Sequence, residues 1–550
     1  MLKKREKYIL ILIVAFTTMA FGLKCLLTTE ITFYDEMSYI ATALRFCKGD
    51  AMLVDDWAPM QLNGFLLMPI VGTYYYAVES MDGIVLFLRI IYLLMKLIIA
   101  TFALWRFKNF GESNVNIGYI LLGIAFYYIA TPYNIDTLSY NTIPISMMFL
   151  IMVIILTHKK SNVDWILCGI FLAIAILGHP FILLVYIALT MFLLTSIFVK
   201  RRKKILVKKE LLSMWFWITC GSAIMALLFS CFIFSRASLD EIVCNLPYIF
   251  QEPDHDSGII EKVSNFAKDV FWDFKFITII NVIDIFILLC LKKKIRGISI
   301  ACLITSCFYI LLLKSPFIEN LIYIPFLWFG IEQILINKSN KKYVYLFMMI
   351  LLSVFGIYLG TNTRILSTSA AMCNFASLAC FTMREERSSN EKKNKYINII
   401  TLTIMLIVTF ILRLFIVWHS WYKVSDFKYY IDKGPLKGTY AGEEVWNDYY
   451  TVINDLSSIE YEEEDIFFCG TYTPLSYLYT NMEYGTMGVA FFFLDYDRID
   501  AYWNMHPKKI PDIIYYLERE YTEEEEKFIQ SLNQYYEVIC REDRLIAIKK

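Results

Sequence analysis

Charge is scarce in this 550-residue chain: lysine, arginine, aspartate and glutamate together make up 19% of it, and 22 glycines and 13 prolines leave few turns. A soluble globule of this length would need a larger charged surface and more chain reversals, so that class is excluded first. Catalytic signatures are missing as well. The sequence has no glycine-rich loop to cradle a nucleotide phosphate, no Gly-x-Ser-x-Gly elbow and no His-Glu-x-x-His helix. Its 13 cysteines are scattered without Cys-x-x-Cys or Cys/His ligand spacing, which removes a zinc framework. No internal repeat is strong enough to suggest an inverted-repeat transporter. A formal net charge of zero gives no case for nucleic acid.

What fills the chain instead is apolar. Hydrophobic residues make up 58% of it and the mean hydropathy is +0.51. Apolar runs of about 18–22 residues recur, which specifies a polytopic α-helical membrane protein. The first run, Tyr8 to Leu27, is too long for a secretion signal and no small-residue cleavage site follows it, so it reads as an anchor. About 13 transmembrane helices are expected, near 8–27, 83–105, 115–131, 139–157, 163–178, 180–199, 212–235, 273–291, 297–313, 317–336, 342–360, 364–382 and 397–418. Lys3, Lys4, Arg5 and Lys7 precede the first span. The basic loops at Arg106/Lys108, Lys159/Lys160, Lys200 to Lys204, Lys292 to Arg296, Lys338 to Lys342 and Lys392 to Lys395 all fall on the side that alternation puts inside. A multi-pass plasma-membrane protein with a cytoplasmic N-terminus and an extracytoplasmic C-terminus is expected.

Two domains follow: a membrane domain over 1–418 and a small α/β domain over 419–550. The second carries about 25 acidic against 13 basic side chains. Asp465 to Cys469 and Pro511 to Tyr515 read as buried strands, and Tyr536 to Cys540 with Leu545 to Ile548 as a terminal hairpin. Gly434 to Gly438 and Trp503 to Pro511 are either saccharide-lining segments or structural turns; Glu523 to Glu526 reads as a solvated helical face. Cys47, Cys244, Cys469 and Cys540 face outward, and sequence alone cannot pair them.

Chemistry concentrates in the long outer loop from Thr28 to Asp82. Tyr34-Asp35-Glu36-Met37 sets two adjacent carboxylates just outside the first span. Ser38 to Phe46 and Leu62 to Tyr76 have helical apolar patterns and are expected to lie in the membrane interface, with Gly49, Asp55-Asp56-Trp57-Ala58-Pro59-Met60-Gln61-Leu62 between them. A loop lying on the membrane beside paired acids suits a lipid-borne substrate. Asp35 is the candidate base; solvated loop acids or a helix cap are the plainer account of the pair.

In this order of basic N-terminus, one span, outer Asp-Glu, interfacial helix, Gly-Asp/Trp-x-Pro-x-Gln-Leu segment and about twelve further spans, the chain resembles the C-type glycosyltransferase superfamily. Its nearest relatives in layout are the protein O-mannosyltransferases and the lipid A aminoarabinose transferases. The motif likeness is concentrated in 30–70 and, more weakly, 131–145. The resemblance implies an acid of the first outer loop as general base, matching Asp35 with Glu36 as partner, and a second acid in the next outer loop, matching Asp136. Arg45, Asp56, Trp57, Gln61 and Tyr140, within or near those motifs, are the candidate substrate contacts. The chain departs from the pattern at Ala58-Pro59-Met60-Gln61, where many relatives have Lys-Pro-Pro, and in lacking an Arg-Tyr pair before the span near Phe317.

Phosphate-binding cations are expected at the outer ends of spans. Arg89 is an intramembrane charge and a candidate by default; Lys96 shares its helical face, and Lys24, Lys314, Arg364 and Arg413 are further candidates. Snorkelling or an internal ion pair is the alternative for each. Asp254-His255-Asp256 is the outward cluster that resembles metal ligands, where relatives use a divalent ion; a solvated turn explains it too. His179-Pro180 either reaches a cavity or caps a helix end. The expected partners are thus a polyprenyl-phosphate sugar donor, a glycan, lipid or protein acceptor, and membrane lipid, with no nucleotide cofactor and no nucleic acid. A polyprenyl-saccharide flippase or a polysaccharide polymerase or ligase would share the spans.

Overall fold

The computed structural model describes residues 4–29, 33–110, 117–130, 135–157, 160–199, 205–250, 258–268, 275–291, 341–360, 424–470, 473–489, 495–517, 523–541 and 544–550, with single positions between. Expected spans near 297–313, 317–336 and 364–382 lie outside them, so the count of about 13 is not set by the described residues.

The protein is a helical membrane protein with a small sheet at its C-terminal end. Its first half runs α1 (Lys4–Leu27), β1 (Thr28–Thr29), α2 (Phe33–Cys47), α3 (Leu62–Val78), α4 (Ile84–Phe110), α5 (Ile117–Ile129), α6 (Thr142–Leu156), α7 (Asn162–Gly178), α8 (Leu183–Val199) and α9 (Ile205–Phe234). Then come α10 (Leu239–Phe250), α11 (Ile259–Lys268), α12 (Lys275–Leu291) and α13 (Lys341–Leu359). Tyr8–Leu27, Ile84–Asn109 and Lys209–Phe234 are long and apolar enough to cross a membrane, and α6 to α8 are shorter apolar helices. On α1, Ile11, Leu12, Phe16 and Met19 are exposed, as lipid-facing side chains must be.

Small residues let the helices close. A Cβ at Gly169 of α7 would lie 2.0 Å from the Ile218 carbonyl of α9, and one at Gly221 would lie 2.1 Å from the Ile166 carbonyl. Without hydrophobic drive between lipid-bathed helices, such close backbone approach supplies the packing. The Ser222 hydroxyl adds a 3.0 Å bond to the Gly169 carbonyl across the same seam.

The C-terminal unit contains β2 (Tyr429–Tyr430), β3 (Tyr440–Ala441), α14 (Glu443–Leu456), β4 (Ile466–Cys469), α15 (Leu475–Thr480), β5 (Glu483–Tyr484), α16 (Tyr496–Met505), β6 (Ile513–Leu517), α17 (Glu523–Leu532), β7 (Tyr536–Arg541) and β8 (Arg544–Lys549). Five strands form one sheet in the order β5-β4-β6-β8-β7. β4 is parallel to both β5 and β6, whereas β8 is antiparallel to β6 and β7, so the expected strands and terminal hairpin are present.

This unit does not stand apart from the first outer loop. β1 runs parallel to β3, the Val85 amide donates to the Pro435 carbonyl at 3.2 Å, and the Trp57 amide donates to the Met487 carbonyl at 2.7 Å. Loop backbone groups must find partners once buried, and the C-terminal unit supplies them. The same contacts cover the helix expected to lie in the membrane interface. From Glu36 to Phe46, α2 is buried almost all round, against α3 and under α15, and the Tyr484 hydroxyl donates to the Ala41 carbonyl at 3.1 Å. A Cβ at Gly64 would sit 2.6 Å from the Phe46 ring, so α3 needs that glycine to press against α2.

Candidate functional site

Asp35 and Glu36 sit in the first turn of α2, where unpaired amides at the helix start favour negative charge. Glu36 is 1% exposed and faces inward. Its carboxylate takes a fork from Arg89 of α4, with Nη2 at 2.6 Å and Nε at 3.1 Å from Oε2. The Asp136 amide donates to its other oxygen at 2.9 Å. Burial pushes the Glu36 carboxyl above its ordinary value, while Arg89 and that amide pull it back. Arg89 uses its remaining nitrogen on the carbonyls that end α1, at 3.2 Å from Cys25 and 2.8 Å from Thr28. The intramembrane charge that the sequence offered for phosphate therefore has an internal carboxylate for its partner.

Asp35 lies half-buried beside this pair. Four residues on, Tyr39 falls on the same helical face. Its ring meets Tyr140 edge-on at 5.3 Å, and Tyr140 lies 5.3 Å from the His179 ring. Asp35 thus shares a face with an aromatic path running from α2 to the turn before α8.

That path borders an incompletely paired polar patch. Asp136 Oδ1, Thr137 Oγ1, both side-chain polar atoms of Asn141 and His179 Nε2 are buried and find no hydrogen-bond partner among the described residues. Buried polar atoms are normally paired, so four such side chains on two loops at one end of the bundle form a surface that a hydroxyl-rich ligand or water would complete. The backbone there is fixed: the Ser139 hydroxyl accepts from the Asn141 and Thr142 amides, and the Thr142 hydroxyl donates to the Thr137 carbonyl. A Cβ at Gly360 would be 2.8 Å from His179 Nδ1, so the end of α13 closes on the imidazole. Burial drives the His179 pKa down to about 3. The ring is neutral, offering one donor and one acceptor.

Lys96 stands 0% exposed over the Tyr92 ring at 4.3 Å and donates to the Tyr128 carbonyl at 2.8 Å. Lys314, Arg364, Arg413, Asp254 and His255 lie outside the described residues. Among the described residues no group of three or more His, Cys, Asp and Glu stands close enough to hold a metal ion.

Arg45, Asp56, Trp57 and Gln61 are placed elsewhere. Arg45 is fully buried, with Nε at 2.6 Å from Asp50 and Nη2 donating to the Thr486 carbonyl at 2.6 Å, to the Tyr502 hydroxyl at 3.0 Å and to the Asp55 carbonyl. Asp56 lies 3.6 Å from its Nη1. Trp57 stacks on Tyr248 at 4.5 Å and donates to Asn245 at 2.8 Å. Gln61 bridges the Leu53 amide and the Asp56 carbonyl. Arg45 and Trp57 tie the first outer loop to the C-terminal unit and α10, while Asp56 and Gln61 brace the loop internally. Cys47 and Cys244 form no disulfide among the described residues.

Thr137, Asn141 and Tyr39 were not singled out by sequence reasoning. Their neighbours Asp136 and Tyr140 were, and the polar run Asp136 to Thr142 ahead of an apolar span was the available signal.

No family model matches the chain, and no curated protein does. Among solved structures it is similar to ArnT from Cupriavidus metallidurans bound to undecaprenyl phosphate, at 10% identity over 98% of this chain and 97% of that one, with a TM-score of 0.44. It is similar to the apo state of that protein over the same shares, at 10% identity and a TM-score of 0.33. At those scores the likeness decides no chemistry.

Proposed function

We propose that the protein is a membrane glycosyltransferase that moves a sugar from a polyprenyl-phosphate donor to an acceptor hydroxyl at the outer face, with the N-terminus cytoplasmic and the C-terminal unit extracytoplasmic. The observation that carries this reading is the α2 carboxylate pair. Glu36 is locked by Arg89 and the Asp136 amide, while the adjacent Asp35 shares its helical face with the path to Asn141 and His179. One acid is fixed as scaffold, and its half-buried neighbour Asp35 is the proposed base.

In the proposed step the Asp35 carboxylate takes the proton of the acceptor hydroxyl as that oxygen bonds to the anomeric carbon. The carbon–oxygen bond to phosphate breaks, and polyprenyl phosphate leaves. The unpartnered amide of Asn141 and the neutral His179 are suited to sugar hydroxyls, which both donate and accept. Arg89 is already neutralised by Glu36, so Lys314 and Arg364 are the proposed phosphate cations. A divalent ion at Asp254 and His255, implied by the family resemblance, is a separate proposal that chelator titration of transfer tests.

Deleting the gene should remove one glycan species from the cell surface by mass spectrometry, and re-expression of the wild type should restore it. Asp35→Asn, expressed at the same level, should lower transfer by about 100-fold or more, the scale of a lost general base. An unchanged glycan profile on deletion, or full restoration by Asp35→Asn, would overturn the proposal.

A further inference from the structure

The helix Tyr496–Met505 has two faces with different fates. Ile499, Tyr502 and His506, spaced i, i+3 and i+7, turn toward the first outer loop; Tyr502 donates to the Asp55 carbonyl at 2.9 Å and His506 Nδ1 lies 3.7 Å from Asp55. Tyr496, Asp500 and Trp503, spaced i, i+4 and i+7, line instead a cavity of about 900 Å³ on the far side. Across it, α17 contributes Lys527, Phe528 and Ser531.

The lining combines two chemistries. Phe528 lies 4.8 Å from the Tyr496 ring and 6.4 Å from the Trp503 ring, at 36° and 28°, so three rings gather at one wall. The Trp503 indole is held in place by its 3.0 Å bond to the Gly485 carbonyl. Tyr535 adds a fourth ring, 69% exposed. Beside them Asp497 and Asp500 are exposed and take no hydrogen bond or ion pair from any described residue.

We infer that this cavity is a saccharide-binding site, separate from the transfer centre. Fixed aromatic faces accept the apolar faces of sugar rings, and unpaired carboxylates accept hydroxyl protons. Asp497 and Asp500 facing Lys527 make the rim charged, which burdens an acyl chain with desolvation. The volume falls within the range of about 300–1,000 Å³ usual for ligand sites. Its role, holding a glycan near the acceptor end of the reaction, rests on the proposed function; its ability to bind does not.

The test uses the full-length protein in detergent micelles. Binding is measured by thermophoresis against the soluble polysaccharide fraction of the source cells, and against chitohexaose and maltohexaose. At least one should bind with a Kd in the millimolar range or tighter. The double variant Asp500→Asn/Tyr535→Ala changes two exposed side chains, and it should weaken binding at least tenfold with an unchanged melting temperature. Asp35→Asn should bind as the wild type does. The inference is overturned if none of the three binds, if the double variant binds normally, if Asp35→Asn abolishes binding, or if a short-chain phospholipid competes. Polysaccharide binding in a protein shown to lack transfer would sink the proposed function and leave this site standing.

Discussion

Arg89 Nη2 stands 2.6 Å from Glu36 Oε2, and neither side chain is more than 3% exposed. A buried pair of this kind is held together by the penalty for separating it. Removing one partner strands a charge and costs about 3–5 kcal/mol, whereas replacing both with apolar groups of similar volume is often close to neutral. Glu36→Gln and Arg89→Gln should each lower the melting temperature in detergent sharply. Glu36→Leu/Arg89→Met should recover most of the loss. A double variant as unstable as the sum of its parts would mean that the two charges do not depend on each other.

The C-terminal unit is attached by the Arg45 network, whose partners Asp50, Asp56, Thr486 and Tyr502 belong to two distant stretches of chain. Arg45→Ala removes the cation shared by Asp50 and Asp56, with Lys509 still 2.5 Å from Asp50, and should destabilise the protein by about 3 kcal/mol. Proteolysis should then cut between the first outer loop and the C-terminal strands at concentrations of protease that spare the wild type. Normal melting with weakened donor use would instead make Arg45 a substrate contact.

Apolar helices and strands were legible in the sequence because each follows a local rule of composition and period. The apolar run at 139–157 became Thr142–Leu156, the run at 163–178 became Asn162–Gly178, and the last hairpin fell on Tyr536–Arg541 and Arg544–Lys549. The acids of the first outer loop were legible as candidates for the same reason: charge beside an apolar run stands out. Their division of labour was not. Glu36 is distinguished from Asp35 by an arginine 53 residues away, and Arg45 meets Thr486 across 441 residues. No local period encodes such pairings, so the internal contacts of Arg45, Asp56, Trp57 and Gln61 could not be read from the sequence.

The imidazole of His179 gives a pH signature. Its pKa falls from 6.5 in the unfolded chain to about 3 in the fold because burial opposes the charged form. The folded state therefore binds fewer protons between those values. Stability from this group is complete above pH 6.5 and declines by about 1.4 kcal/mol per pH unit below it, so about 2 kcal/mol is lost between pH 7 and pH 5. Glu36, pushed upward by burial, contributes with the opposite sign. Comparing the wild type with His179→Asn isolates the imidazole: the variant's melting temperature should fall less on acidification. Parallel curves would show that His179 is already solvated in the fold.

Asn141 offers the sharpest test of the polar patch, because the expected signs for stability and activity differ. It is 1% exposed, and neither polar atom of its side chain has a partner among the described residues. A buried amide without hydrogen bonds is a desolvation penalty carried by the empty protein, of about 1–3 kcal/mol. Asn141→Leu removes that penalty at similar volume, so the variant should melt higher than the wild type in the absence of substrate. If the amide exists to meet sugar hydroxyls, the same change should lower kcat/KM for transfer by about tenfold or more, since the bound hydroxyl then loses its own partner. Stability and activity would move in opposite directions, the pattern expected of a residue retained for binding. A variant that melts lower and transfers normally would place Asn141 in the scaffold and remove the patch from the reaction.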